Sequence, residues 1–310
     1  MDRREFLGKT ALAGACLALG EPRSALAGPV RPLPPAPQPE SRPIDLVAVN
    51  GGRPAALFDR AIQEMGGMKA FVKKGQKVVV KPNIGWDVPP ELAANTNPEL
   101  VARIVAHCKA AGAKEVIVFD HPCDEPRRCY RTSGIEKAAR DAGAKVASAS
   151  EEGQFHRVAI PGAEVLKSAK VHELLLECDV FINVPVLKQH RAAEMTAGMK
   201  NLMGVVWDRY EWHRNDLDVC IADFGGWRKP DLIVVDAFRV VKRNGPRPRS
   251  AGDLTELRSL VLATDPVAAD AAGAKMLGLT PHRIGYIELS STRGTGHMEL
   301  DLLNVKKITL

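Results

Sequence analysis

The sequence predicts an α/β domain, a doubly wound and mostly parallel sheet with helices on both faces. Three observations lead there. Short Val/Ile-rich runs recur along the chain, near-continuous in their apolar character, as strands buried on both faces of a sheet are. Helical patterns stand between them, and that alternation marks a parallel sheet. Helix starts are punctuated by a capping residue and a proline, Asn97 before Pro98 and Asp265 before Pro266.

Taken in order, strands are expected at 44–50, 77–80, 115–120, 179–185, 232–236, 259–263 and 305–310. Helices are expected at 55–65, 98–111, 135–142, 171–177, 192–203 and 266–277. Two stretches, 81–96 and 207–216, are longer than a connection requires and carry Trp and charge. Long loops in a compact domain usually serve function. No internal repeat is present.

Ahead of this domain, residues 1–27 read as a targeting segment rather than structure. Asp2-Arg3-Arg4-Glu5-Phe6-Leu7 matches a twin-arginine export signal, and Ala25-Leu26-Ala27 offers a small-x-small cleavage site. The apolar run between them is shorter than the ~20 residues of a membrane span. The expectation is a periplasmic protein, carried out by the twin-arginine machinery, with no stable membrane span. Seven prolines crowd the next segment, 28–43, which reads as an extended linker. Residues 44–310 then form a single α/β domain.

The formal net charge is +6, and one unit of it lies in the leader. No basic run with interleaved aromatics appears, which argues against nucleic acid as a partner. A small anionic ligand suits the excess better. Beyond Cys16 in the leader stand Cys108, Cys123, Cys129, Cys178 and Cys220, an odd number, so at least one thiol is free or ligates something.

In open α/β sheets ligands bind beyond the carboxyl ends of the strands. Lys81-Pro82-Asn83, Asp120-His121-Pro122-Cys123, Lys188-Gln189-His190 and Asp236 with Arg239 all fall at such ends. Each alone has an ordinary reading, as a solvated lysine, a structural histidine or a turn-capping aspartate. Together Lys81, Lys188, His190 and Lys200 would gather cations around one crevice, which self-repels unless an anion sits there. Cys123 and Cys129 enclose a short loop that a disulfide could close in an oxidising compartment. The alternative is a metal held by His121, Cys123 and Cys129 with Asp120 or Asp124, although the spacing matches no zinc knuckle. A four-cysteine iron–sulfur cluster is not expected, since Cys108, Cys178 and Cys220 read as small core residues. No Gly-x-Ser-x-Gly elbow and no phosphate-binding glycine loop is present.

Several motifs in order resemble one family of bacteria and archaea, catalogued as domain of unknown function 362. They are Val80-Lys81-Pro82-Asn83, Thr96-Asn97-Pro98, Lys188-Gln189-His190, the run from Thr196 through Lys200-Asn201 to Gly204, and the run from Asp265 to Asp270. The resemblance spans roughly 45–300. Asp208-Arg209 with Trp212-His213, the Cys123/Cys129 loop and Asn244-Gly245-Pro246 are similar to its exported, twin-arginine branch. Some relatives add clustered Cys-x-x-Cys motifs, which this chain lacks. No specific motif ties it to the more distant amino-terminal region of nickel-dependent lactate racemase.

The functional expectation is an enzyme acting on a small anionic compound, with a metal ion as a candidate cofactor. Lys81, Lys188 and Lys200 would hold the anion, while Asn83 and Asn201 orient it. His190 or His213 would move protons, since imidazole titrates nearest neutral pH. Asp208 and Asp236 would fix a histidine or ligate metal. A periplasmic solute- or metal-binding module without turnover, and a redox accessory protein, are the alternatives.

Overall fold

The structure, a computed structural model, describes residues 43–310. The expected leader at 1–27 and all but the last residue of the linker at 28–43 lie outside the described residues.

The chain begins with β1 (Leu46–Asn50), α1 (Pro54–Glu64), β2 (Lys77–Pro82), α2 (Pro98–Ala111) and β3 (Glu115–Val118). It continues through α3 (Pro126–Thr132), α4 (Ile135–Asp141) and β4 (Lys145–Val146). A separate antiparallel pair follows, β5 (Phe155–Ala159) with β6 (Ser168–His172), then α5 (Glu173–Glu177). Next come β7 (Val180–Val184), β8 (Val186–His190), β9 (Glu194–Thr196), α6 (Gly198–Asn201), α7 (Arg209–Arg214) and α8 (Leu217–Trp227). The hairpin β10 (Leu232–Val241) and β11 (Leu254–Ala263), α9 (Pro266–Leu277), α10 (Gly285–Thr292) and β12 (Val305–Thr309) complete it.

The sheet runs β12-β1-β11-β10-β7-β2-β3-β4, with β8 beside β10 and β9 beside β8. From β10 to β4 every neighbour is parallel. Only β11 opposes both its neighbours. The result is the expected α/β fold, in mixed form. Alternate strand residues enter two cores, because successive side chains of a strand point to opposite faces. Val79, Phe181, Ile233 and Val235 pack with α8, α9 and α10. Val78, Val80, Ile182 and Val184 pack with α1, α2 and α4.

Chain order explains where a ligand would go. The chain leaves β2 for β3 and β4 on one side, then returns to place β7 on the other side of β2. The strand order therefore reverses between β2 and β7, and the crevice beyond their carboxyl ends is the natural ligand site.

Three expected elements differ. The helix at 171–177 starts at Glu173, because β6 runs on to His172, whose Nδ1 accepts the Leu174 amide at 3.1 Å and caps the short helix. The helix at 192–203 is instead strand β9 followed by α6. Residues 194–196 pair with β8, and the Asp270 carboxylate starts the helix by accepting the amides of Gly198 and Met199 at 2.5 and 3.1 Å. A Cβ at Gly198 would lie 2.7 Å from Asp270 Oδ1, so this cap needs glycine. The loop at 207–216 contains α7, pinned by the buried Trp212 against Phe224 of α8.

Candidate functional site

One cavity of about 300 Å³ opens at the reversal point. Lys81 and Asn83 reach it from β2 and the loop beyond, and Asp120, His121 and Cys123 from the loop after β3. Lys188 and His190 come from β8, Lys200 and Asn201 from α6, and Arg209 and His213 from α7. Residues as far apart in sequence as Lys81 and His213 thus share one wall, because parallel strands align their carboxyl ends.

Its floor is an ion pair. Lys81 Nζ lies 2.7 Å from Asp120 Oδ1, and both side chains are almost fully buried. The ammonium also donates to the Pro82 carbonyl at 2.8 Å. Asp120 accepts the Ile84 amide at 2.6 Å and its own neighbour His121's amide at 3.0 Å, so its second oxygen is not left bare. Burial pushes the Lys81 pKa down while Asp120 opposes it. Gly204 makes this arrangement fit. A Cβ there would collide with Asp120 Oδ1 and stand 2.7 Å from Lys81 Nζ. That contact is the physical content of the Lys200-Asn201-x-x-Gly204 spacing.

Lys188 and Lys200 differ from Lys81: among the described residues neither has a carboxylate partner. Lys188, 1% exposed, donates to the Ala94 carbonyl at 2.5 Å and to Asn83 Oδ1 at 3.1 Å. Burial lowers its pKa to about 7, with Lys200 and Lys81 adding repulsion. Lys200, 7% exposed, meets only the Met203 thioether, at 3.3 Å, and burial lowers its pKa to about 8. A thioether is a weak acceptor.

A directed chain of amides leads away from Lys188. Asn83 Nδ2 donates to Asn201 Oδ1 at 3.0 Å, Asn201 Nδ2 to Asn183 Oδ1 at 2.8 Å, and Asn183 Nδ2 to the Gly198 carbonyl at 2.8 Å. Asn201 also donates to the Lys81 carbonyl at 3.4 Å. These bonds tie β2, β7 and α6 together beneath the cavity.

His190 is held in one state. Its Nδ1 accepts the amides of Ala192 and Ala193 at 3.1 and 3.2 Å, so the neutral ring carries its proton on Nε2. Protonation would destroy both bonds. Burial, with Lys200, Lys188 and His213 nearby, pushes its pKa down to about 2. This corrects its expected role: His190 is a hydrogen-bond donor at neutral pH, not a proton carrier. His213, with ring centroid 6.4 Å from that of His190, is lowered by burial and by Lys200, and it carries no such double bond. A stability test follows. An unfolded imidazole takes up its proton near pH 6.5, so between 6.5 and about 2 the unfolded chain binds the extra proton. Stability from the neutral ring is complete above pH 6.5 and is lost steadily as pH falls. His190→Asn keeps an acceptor for both amides without titrating. Urea unfolding from pH 6.5 to 3 is expected to show a flatter decline in this variant. Equal slopes would refute the assignment.

Other expected site residues lie elsewhere. Asp236 is buried outside the cavity wall, where it accepts the amides of Asn97 and Phe238 at 2.7 and 3.1 Å and so anchors the start of α2. Its pKa is raised to about 6 by burial. Asp208 precedes α7 and turns toward Lys170, 3.9 Å away. Arg239 pairs with Glu256 on the hairpin. The expected disulfide is not formed: Cys123 is exposed and Cys129 buried, both free. The reason is α3, whose Glu125 cap lies between them and whose inner face carries Cys129 into the core. The same separation breaks up the candidate metal set of His121, Cys123 and Cys129. His121 instead bonds the Val206 carbonyl and stacks on Trp207. Among the described residues no three His, Cys, Asp or Glu side chains gather as a metal-holding group.

Sequence reasoning missed two contributors and gave a third another role. Asn183 is the single polar residue within the apolar strand β7, a signal that was available. Arg209 donates to the carbonyls of His121 and Pro122, fixing the loop beneath them. Asp120 serves as the partner of Lys81 rather than as a metal ligand.

The family model described as domain of unknown function (DUF362) matches residues 78–275, which contain every lysine of the cavity. A thylakoid-associated protein of Synechocystis sp. is 27% identical over 72% of this chain and 70% of its own length. Among solved structures, a lactate racemase apoprotein from Thermoanaerobacterium thermosaccharolyticum is similar with a TM-score of 0.49 at 11% identity, over 76% of this chain. A protein from Thermotoga maritima gives a TM-score of 0.40 at 12% identity, over 71% of this chain. The chain spans 57% and 56% of the lengths of those two structures.

Proposed function

We propose, from the premise that this chain belongs to the DUF362 family, that it is an enzyme acting on a small anionic compound held in the cavity beyond β2 and β7. One observation carries the reading. Lys188 and Lys200 are both more than nine-tenths buried, line the same cavity, and have no carboxylate partner among the described residues. Gathered cations repel one another in a low dielectric, and an anion between them removes that penalty. The cavity volume, about 300 Å³, lies at the small end of ligand pockets and suits a metabolite of a few heavy atoms.

Within it Lys188 and Lys200 would bind the charge and the His190 Nε2–H would add a neutral donor. Asn83 would orient the ligand through its remaining amide hydrogen. His213, which burial and Lys200 hold below its ordinary value and so keep as a neutral base, can take up a proton, and Lys188, falling to about 7, is a second base. Two such titrating groups favour an enzyme over a module that only binds. Export by the twin-arginine route forms part of the proposal and rests on the Arg3-Arg4 motif with Ala25-Leu26-Ala27.

Thermal unfolding with inorganic phosphate, oxalate and malonate tests the site. A ligand at one hundred times its Kd adds about 2.7 kcal/mol of stability. At least one of these anions is expected to raise Tm, and chloride at equal ionic strength is expected not to. No shift with any of them removes the reading.

A further inference from the structure

We propose that Cys123 is the nucleophile of this cavity and attacks an electrophilic carbon of the anion held by Lys188 and Lys200. The inference rests on the anion site and adds a reacting atom to it. The loop after β3 brings the thiol to the cavity wall, and the Cys123 amide donates to the Gly85 carbonyl at 2.9 Å, which fixes that part of the loop. The facing Gly85 leaves room, since even a Cβ there would stay 4.0 Å from Cys123 Sγ. Of the cysteines among the described residues, Cys123 alone is exposed; Cys108, Cys129 and Cys220 are buried, and Cys178 is half-buried away from the cavity.

The surroundings supply what a nucleophile needs. Lys81, Lys188 and Lys200 all lie within electrostatic reach of the sulfur. Reactive cysteines sit in such electropositive, partly exposed places, whereas buried ones are inert. Lys200 is the independent sign that something binds beside the thiol, since its buried ammonium meets no oxygen or nitrogen acceptor among the described residues. Two lysines holding an anion at the mouth of the thiol turn an encounter between separate molecules into a reaction within one complex. In the step, the thiol releases its proton to solvent and Sγ forms a bond to the electrophilic carbon. The leaving group departs with the pair of electrons from the broken bond.

Two alkylating probes that differ chiefly in charge test this on the full chain. Iodoacetate and iodoacetamide both carry out the same displacement: an S–C bond forms, the C–I bond breaks, and iodide leaves. The anionic reagent is expected to label Cys123 faster than the neutral one by roughly tenfold or more, relative to the ratio at free glutathione, as field focusing of charged reactants allows. Peptide mass spectrometry locates the adduct, and Cys123→Ser controls for other thiols. The preference is expected to collapse in Lys200→Met and to be suppressed by saturating phosphate. Phosphate binding by calorimetry separates two failures. If phosphate binds yet Cys123 shows no preference for iodoacetate, the nucleophile is overturned and the anion site stands. If phosphate does not bind and no preference appears, both fall. A preference that persists in Lys200→Met also overturns the proposal, because the reagent is then drawn by something else.

Discussion

Replacing Asp120 with alanine is expected to lower the free energy of unfolding by about 3–5 kcal/mol, the usual result of removing one partner from a buried ion pair. The Lys81 ammonium, 1% exposed, would keep only the Pro82 carbonyl. The Ile84 amide would lose its acceptor as well, while the His121 amide would keep the Gly204 carbonyl at 2.9 Å. The conservative variant separates charge from hydrogen bonding. Asp120→Asn retains an oxygen for the Ile84 amide, so adding Lys81→Met to it removes the charge pair while keeping that bond. This double variant is expected to recover most of the lost stability, since paired buried charges are often replaceable together. Urea unfolding of the two variants decides it. An Asp120→Ala protein within about 1 kcal/mol of the parent would show that the pair is not desolvated as described.

Lys200→Met is expected to weaken binding of the small anion by tenfold to a hundredfold with the fold unchanged. A hydrogen bond to a charged group contributes about 1.5–3 kcal/mol, and methionine fills the space of the lysine stem in a wall already lined by Met203. The parent protein carries its own control in pH. The protonated lysines bind the anion, and their pKa values lie near 7 for Lys188 and near 8 for Lys200. Affinity should therefore be highest below pH 7 and fall as pH rises through 7 and 8. In Lys200→Met the upper part of that fall should disappear. Titration calorimetry between pH 6 and 9 reads both effects. A flat profile in the parent would mean that other groups hold the anion.

Much of the fold was legible because burial writes itself into sequence. The apolar runs at β2, β3, β7 and β10, and the Asn97 and Asp265 caps, were read correctly from residues alone. What misled was tertiary override of local pattern. Residues 192–203 look helical, yet the strand β8 claims 194–196 as a partner and Asp270, some 70 positions away, sets where the helix begins. The continuation of β10 past Asp236 was equally invisible, because its stability comes from pairing with β11 rather than from its own composition. Lys81 and Lys188 line the cavity, as their position after strands suggests, and Lys200 joins them from within the segment expected as the helix at 192–203. Asp236 was misplaced because a strand-end aspartate that caps a helix and one that faces a ligand look the same in sequence. Cys123 and Cys129 were paired by proximity along the chain, and α3 between them was missed.

The amide chain below the cavity has a polarity that reaches the ligand. Asn83 uses its oxygen on Lys188 and one amide hydrogen on Asn201, which leaves its second amide hydrogen for a guest. His190 uses its lone pair on two amides and so turns its N–H outward. Protonated, Lys188 and Lys200 have only hydrogens to give. Each of these four groups therefore approaches a guest as a donor, so contacted atoms that carry lone pairs and negative charge fit best. The proposed site would therefore count protons as well as charges, and is expected to favour hydrogenphosphate over dihydrogenphosphate and a carboxylate over the matching acid.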